Sequence, residues 1–271
     1  MSRPLDGVRI VSLALNVPGP VAVARLAADG ATAVKIEPPW GDPLKTFNPE
    51  WYDELHAGVE TRVLDLKAQA GAEAIRDLLA HTDVFIASHR PAALARLGLD
   101  RQELRQRFPH LRHLNIVGDT ANAEAAGHDL TYQAREGLVT DRLPATLVAD
   151  MTGAERAYAT VLLLLREPAG SYREVGLFDC LRSITAPIRH GLTAPGGPLG
   201  GSNPAYGVYV ARGGSVAVAA LEPHFRERLY AALGLHDGAS LAEAFRARTP
   251  EEWERWANER DIPLVAVRSH L

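Results

Sequence analysis

Three short segments place an acid or base group at what reads as the start of a helix. They are Gly127-His128-Asp129 in AAGHDLTYQAREGL, Asp150 in LVADMTGAERAY, and Glu222-Pro223 in ALEPHF. A histidine with carboxylates nearby can do general acid–base chemistry near neutral pH, where the unperturbed imidazole titrates. The same residues have plainer uses. Asp129 or Asp150 can cap a helix by accepting a backbone N–H, with His128 merely solvated, and Glu222 can complement a helix dipole. Spacing alone does not show that the three segments converge, so both readings stay open at this level.

The elements around them suggest where they stand. Val8 to Leu13 is a short β-rich run, Pro18-Gly19-Pro20 opens a stretch with alanine and leucine at helical spacing up to Gly30, and Ala33 to Ile36 is a second strand. The alternation continues with a helix over 70–81, a strand at 84–87, mostly helix over 92–108 and a strand at 114–117. That order predicts a parallel sheet with helices on its faces, a fold that binds ligands at the carboxyl ends of its strands. A long helix is expected over 152–166, then a turn at Pro168-Ala169-Gly170 and an extended segment 172–177.

The stretch APGGPLGGSNPA, 194–205, reads as a hinge or active-site loop, and beyond it 206–210 and 215–219 flank Arg212-Gly213-Gly214 as a hairpin. Helices follow near 223–233 and 240–248, with Trp253 and Trp256 on an amphipathic helix that packs a core. The division expected from composition is a large Rossmann-like domain over 1–194 and a small α+β domain over 195–271.

With 271 residues, 46% of them apolar, the chain is long enough for an ordinary core. A net charge of −4 gives no basic field to recommend nucleic acid or an anionic membrane as partner. The single Cys180 excludes an intrachain disulfide and a CxxC metal site, and reads as a small buried apolar residue. No apolar run approaches a membrane span, and MSRPLDGVRIVSL lacks a signal-peptide layout, so the expected location is the cytoplasm. Neither a GxGxxG nor a GxxxxGK[ST] pattern is present. His110 and His113 have no nearby third ligand and are expected at the surface, so no metal site is expected.

Taken in order, PLDGVRIVSL, the Gly19-Pro20 pair, LAADGATAVKIEPPWGDPL, VLDLK, HTDVFIASHRPAALARLGL, AGHDLTYQAREGL and LVADMTGA resemble the class III CoA-transferase family (CaiB/BaiF type). The α-methylacyl-CoA racemase branch is the closer match, through GHD, the VADMTG aspartate and the acidic residue of ALEPHF. The resemblance implies a Rossmann-like domain with a smaller second domain, assembled as an interlocked homodimer. It also implies an acyl-CoA substrate and no cofactor beyond coenzyme A itself. On a racemase pattern His128 and Asp150 act on opposite faces of the substrate α-carbon, Glu222 partners His128 across the dimer, and Asp129 belongs to the same catalytic group. On a transferase pattern Asp150 is the nucleophile of an acyl anhydride and then an aspartyl-CoA thioester, and His128 is idle. Removing an α-proton beside a thioester also needs a stabilised enolate oxygen, and backbone N–H groups at a helix start near Asp129 are the candidate donors.

The chain also departs from the family. Basic residues usual after the KIE motif and before LDLK are replaced by Pro38-Pro39 and Val59-Glu60. Arg90 matches a CoA-contacting position of the family, while Lys45, Arg62 and Gly127 are further candidates for holding CoA. The loop between His128 and Asp150 is short for the family, and so is the C-terminus, LVAVRSHL, where the family pattern has a segment returning to the large domain. A non-catalytic paralogue that has lost CoA binding is therefore a third reading.

Overall fold

The computed structural model describes residues 3–268; readings that involve Met1, Ser2 or Ser269 onward lie outside them. The chain forms two compact units, Met1–Ile184 and Thr185–Leu271. The division expected from composition lies at 194/195, inside the Gly/Pro-rich stretch.

The first unit runs β1 (Arg9–Ser12), α1 (Pro18–Ala28), β2 (Thr32–Glu37), α2 (Pro43–Phe47), α3 (Pro49–His56), β3 (Glu60–Val63), α4 (Gln69–Leu79), β4 (Val84–Ala87), α5 (Pro91–Arg96), α6 (Arg101–Arg107), β5 (Arg112–Val117), α7 (Asp129–Arg135), α8 (Val148–Arg166), β6 (Tyr172–Gly176) and α9 (Leu177–Ile184). Its six strands are all parallel, in the order β3-β2-β1-β4-β5-β6. This is the doubly wound order, whose chain reversal lies between β1 and β4.

Alternation along the strands explains the two cores. Ile10, Val84, Ile86, Leu114 and Ile116 face α1 and α8 together with Leu26, Val161 and Leu164. Val11, Phe85 and Ala87 face the other way, onto Ile75, Leu79, Leu94 and Leu104 of α4, α5 and α6. A strand buried on both faces must be apolar throughout, as Val84-Phe85-Ile86-Ala87 is. Helix α1 starts with a proline in its first turn, where the missing N–H costs nothing. Gly19 is required there because a Cβ would stand 2.1 Å from that of Ala14.

Three departures from expectation have local causes. The helical stretch 92–108 breaks into α5 and α6 at Gly98, whose φ of +66° ends the first of them. Strand β3 went unseen because it is an edge strand with no buried residue and no apolar alternation. Helix α8 begins at Val148 and not near Thr152, because its first turn is capped from a distant residue, described below.

A buried charged cluster fixes the loop after β1. The ammonium of Lys35, itself 2% exposed, meets the Asp42 carboxylate, Glu37 at 3.1 Å and His56 Nε2 at 2.8 Å. His56 Nδ1 donates to the Tyr52 carbonyl at 2.5 Å, leaving Nε2 to accept from the ammonium. The other oxygen of Asp42 accepts the N–H of Leu44 and of Asn16, both at 2.9 Å. Asn16 is thereby held at a φ of +65°, a left-handed conformation that a non-glycine residue seldom adopts.

The second unit runs α10 (Ala186–Arg189), β7 (Tyr206–Ala211), β8 (Gly214–Ala219), α11 (Pro223–Leu233), α12 (Ala242–Phe245), α13 (Pro250–Asn258) and β9 (Leu264–Ala266). The three strands form an antiparallel sheet, β7-β8-β9, with the expected hairpin between the first two. Trp253 and Trp256 pack edge to face in its core with Phe245, and the Trp253 indole N–H donates to the Phe245 carbonyl at 2.7 Å. Among the described residues no helix is long and apolar enough to cross a membrane.

Candidate active site

The topology dictates where a site can form. The turns that follow β1, β4 and β5 converge at the carboxyl edge of the sheet, and a cavity of about 260 Å³ opens there. Leu15, Asn16 and Pro18 come from the first turn, Ser88, His89 and Arg90 from the second, and Gly118 from the third. His128 and Asp150 line the same cavity, so two residues 22 positions apart in sequence face one space. The mixed α/β architecture agrees with the sequence expectation.

Asp150 is the third residue of α8, inside the helix rather than at its cap. The cap is supplied by Asp129, which is 5% exposed and accepts the N–H of Ala149 at 2.7 Å and of Asp150 at 3.1 Å through one oxygen. Its second oxygen accepts from Gln133 Nε2 at 2.5 Å, and Gln133 also reaches the Thr146 carbonyl at 3.0 Å. The N–H groups at the start of α8 are therefore occupied by Asp129. Burial, with the Asp129 charge as the lesser cause, lifts the Asp150 carboxyl to about 7. A carboxyl there can both give and take a proton near neutral pH.

His128 precedes α7 in extended conformation and is exposed. Thr131 Oγ1 accepts the His128 N–H at 3.1 Å and donates to the His128 carbonyl at 2.7 Å, which closes the first turn through the backbone of His128. Tyr132 follows one turn later and also lines the cavity; burial, followed by the charge of Asp150, raises its hydroxyl. Its ring fits between two glycines. A Cβ at Gly118 would stand 2.2 Å, and one at Gly127 2.4 Å, from the Tyr132 hydroxyl oxygen. Gly127 lines the cavity, but close approach to Tyr132 is what demands a glycine there.

The other expected site residues divide. Arg90 lines the cavity at the start of α5. Lys45 lies over the Tyr52 ring at 5.1 Å, and Arg62 is paired with Glu60 at 2.6 Å; neither lines the cavity. Glu222 is exposed at the N-cap of α11 in the second unit.

Sequence reasoning missed a second space. A cleft of about 620 Å³ shares Leu15 and His89 with the acid/base cavity and carries Lys67, Arg76 and Arg96 on its walls, with Pro38, Pro39 and Trp40 beside them. The signal was present in VLDLK, which ends in Lys67, and in LARLGL, which contains Arg96. His89 lines both spaces, with a buried Nδ1 that has no hydrogen-bond partner among the described residues; burial lowers its basicity. The expectation of two surface histidines holds for His110 and fails for His113, which is buried between Phe85 and Tyr172. Along the strand, Arg112 beside it and Asn115 two residues on are polar and give no sign of burial, and the rings that cover it come from β4 and β6.

Glu37, Asp42 and His56 could offer ligand atoms within 4.8 Å of one another. The Lys35 ammonium contacts all three and supplies the positive charge there.

A sequence profile of CoA-transferase family III matches residues 5–270. The succinate–glutarate CoA-transferase of Agrobacterium fabrum is 29% identical over 212 residues, covering 68% of this chain and 53% of its own length. The cinnamoyl-CoA:phenyllactate CoA-transferase of Clostridium sporogenes is 32% identical over 124 residues, covering 42% and 30%. This chain thus spans about half the length, or less, of those two transferases. The α-methylacyl-CoA racemase of Homo sapiens is 27% identical over 290 residues, covering 92% of this chain and 74% of that protein. In fold, the chain is similar to a hypothetical protein of Mycobacterium tuberculosis, with a TM-score of 0.85 at 20% identity over 100% of this chain and 87% of the other. A CAIB/BAIF family protein of Brucella suis gives 0.80 at 23% identity over 99% and 85%.

Proposed function

Because the chain belongs to CoA-transferase family III, we propose that it is an acyl-CoA enzyme that moves the proton at the α-carbon of a 2-methylacyl thioester by two-base transfer between His128 and Asp150. The observation that carries this reading is the pair itself: both residues line one cavity, and Asp150 titrates at about 7. Inversion needs a base on one face and an acid on the other, with the two exchanging protonation states in the reverse direction. A histidine and a carboxyl of near-neutral pKa are suited to that exchange.

The adjoining cleft supports a coenzyme A substrate. It shares Leu15 and His89 with the cavity, and Lys67, Arg76 and Arg96 give it positive charge suited to phosphates. In this reading the nucleotide end of CoA lies in the cleft, and the thioester reaches between His128 and Asp150. Arg90 assists from the cavity side, while Lys45 and Arg62 take no part. Asp129 acts through Asp150, by capping α8 and by repelling negative charge, and is a positioning residue. As the family assembly implies, the enzyme is a homodimer in which Glu222 of one copy approaches His128 of the other. A monodisperse monomer by light scattering would remove that element.

A second reading is CoA transfer between carboxylates, with Asp150 as the acyl-accepting nucleophile. It is favoured by the relatives named for CoA transfer, succinate–glutarate and cinnamoyl-CoA:phenyllactate among them. The experiment that separates the two is incubation with a 2-methylacyl-CoA in deuterium oxide. Racemisation puts deuterium on the α-carbon with no acceptor acid present. Transfer leaves the α-carbon unlabelled and moves CoA only when a second carboxylate is supplied.

A further inference from the structure

Strand β5 carries a histidine that the proposed reaction does not use. His113 is 4% exposed, and neither of its ring nitrogens has a hydrogen-bond partner among the described residues. Asn115, two residues along and so on the same face of the sheet, is 1% exposed. Its amide nitrogen donates to the His89 carbonyl at 3.2 Å, whereas its Oδ1 has no partner among the described residues. Buried polar atoms are almost always paired, and three orphans within three residues call for an occupant.

Both residues line a cleft of about 400 Å³ that has no part in the acid/base cavity. Leu94 and the flat ring of Tyr172 form its apolar wall, the latter edge to face with His113 at 4.9 Å between centroids. Arg101 and Arg105 also line it, one turn apart on α6. Like charges at that spacing repel. Neither guanidinium forms an ion pair among the described residues; Arg101 lies over the Tyr172 ring at 4.9 Å. Asp100 lines the cleft too; one of its oxygens caps α6, accepting the N–H of Gln102 at 2.8 Å and of Glu103 at 3.1 Å.

We propose that this cleft binds a small aromatic carboxylate that bears a hydroxyl at the end opposite its carboxylate. The anion lies on Arg101 and Arg105, which present guanidinium donors suited to a carboxylate and gain the negative charge they lack. The ring lies against Leu94 and Tyr172. The hydroxyl reaches His113 and Asn115, where it can donate to Oδ1 and pair with a ring nitrogen. Burial holds the His113 imidazole down at about 3, so it is neutral, with one donor and one acceptor, and the arginines alone meet the anion. Tyr172, on the edge strand β6, covers the imidazole and is the side chain that gives way on entry. Asn115 also links this cleft to the segment that carries His89, through its amide nitrogen on the His89 carbonyl.

The test is calorimetric titration of the full chain with para-hydroxybenzoate, alongside benzoate and para-hydroxybenzamide. Saturable binding is expected. It should weaken about tenfold or more when the probe loses either its hydroxyl or its charge, the scale of one hydrogen bond to a charged or buried group. The double variant Arg101→Gln/Arg105→Gln, confined to exposed positions, should lose the discrimination between acid and amide. His113→Phe, which keeps the ring stack, should lose the discrimination between para-hydroxybenzoate and benzoate. Absence of saturable binding by the wild-type chain, or binding unchanged in both variants, overturns the proposal. None of these readouts depends on acyl-CoA.

Discussion

The carboxylate of Asp129 accepts the backbone N–H of Asp150 at 3.1 Å, so one acidic residue caps the helix that presents the other. Asp129 thus caps α8, which begins 19 positions after it, and not the helix it starts. Its charge is also one of the two causes that raise Asp150.

Asp129→Asn keeps an oxygen for the two N–H groups while removing the charge. The Asp150 pKa should then fall from about 7 and, since burial is the larger cause, remain above its ordinary 3.8. Carboxyl-carbon NMR titration reads this directly. An unmoved Asp150 would mean that the two carboxyls do not sense each other.

Asp150 also sets a pH dependence of stability. Its folded pKa of about 7 exceeds the ordinary 3.8, so between those values the folded chain binds more protons than the unfolded one. Stability from this group therefore falls as pH rises through that window, and the loss is complete above the folded pKa. Asp150→Asn, which does not titrate, should gain on the wild type by on the order of 2 kcal/mol between about pH 4 and pH 8, after allowance for solvent screening. Urea midpoints of both proteins at the two ends of the window measure it. Parallel pH profiles would contradict the assignment.

Much of this arrangement was legible in the sequence, for reasons that can be named. The βα alternation was readable because β4 is buried on both faces and apolar throughout, and Ile10 and Val11 of β1 supply one residue to each core. Strand β3 was not, because an exposed edge strand carries no such pattern. His128 and Asp150 could be picked out by residue type and resemblance, but their convergence depends on α8 folding back to the carboxyl edge of the sheet, which no local spacing encodes. The role of Asp129 was hidden for the same reason: the backbone N–H groups it caps lie 20 and 21 residues away. His113 was misplaced because the rings that bury it, Phe85 and Tyr172, come from two other strands.

The Lys35 cluster gives a stability prediction. Lys35→Met leaves Glu37 and Asp42, both buried, without their shared cation. The loss should be about 3–5 kcal/mol in chemical denaturation. A loss below about 1 kcal/mol would show that the cluster is not closed to water as described.

Gly127→Ala should test the seat of Tyr132. The added methyl would stand 2.4 Å from the Tyr132 hydroxyl oxygen and 2.5 Å from a ring carbon, so the ring must move at a cost of about 1–3 kcal/mol. Combined with Tyr132→Leu, the two losses should be less than additive, because one clash underlies both. Strict additivity in thermal or urea unfolding would place Gly127 outside the Tyr132 contact.

The central claim is that His128 and Asp150 work as an acid/base pair, and it is tested by the racemisation rate of a 2-methylacyl-CoA in both stereochemical directions with His128→Ala and Asp150→Ala. Each variant should stay folded and lose on the order of 10²-fold or more in both directions, the usual scale for removing a general acid or base. Racemisation by His128→Ala at the wild-type rate would contradict the account. So would a chain in which Asp150→Ala abolishes CoA transfer between acids while His128→Ala transfers normally, the pattern of an aspartyl nucleophile with an idle histidine.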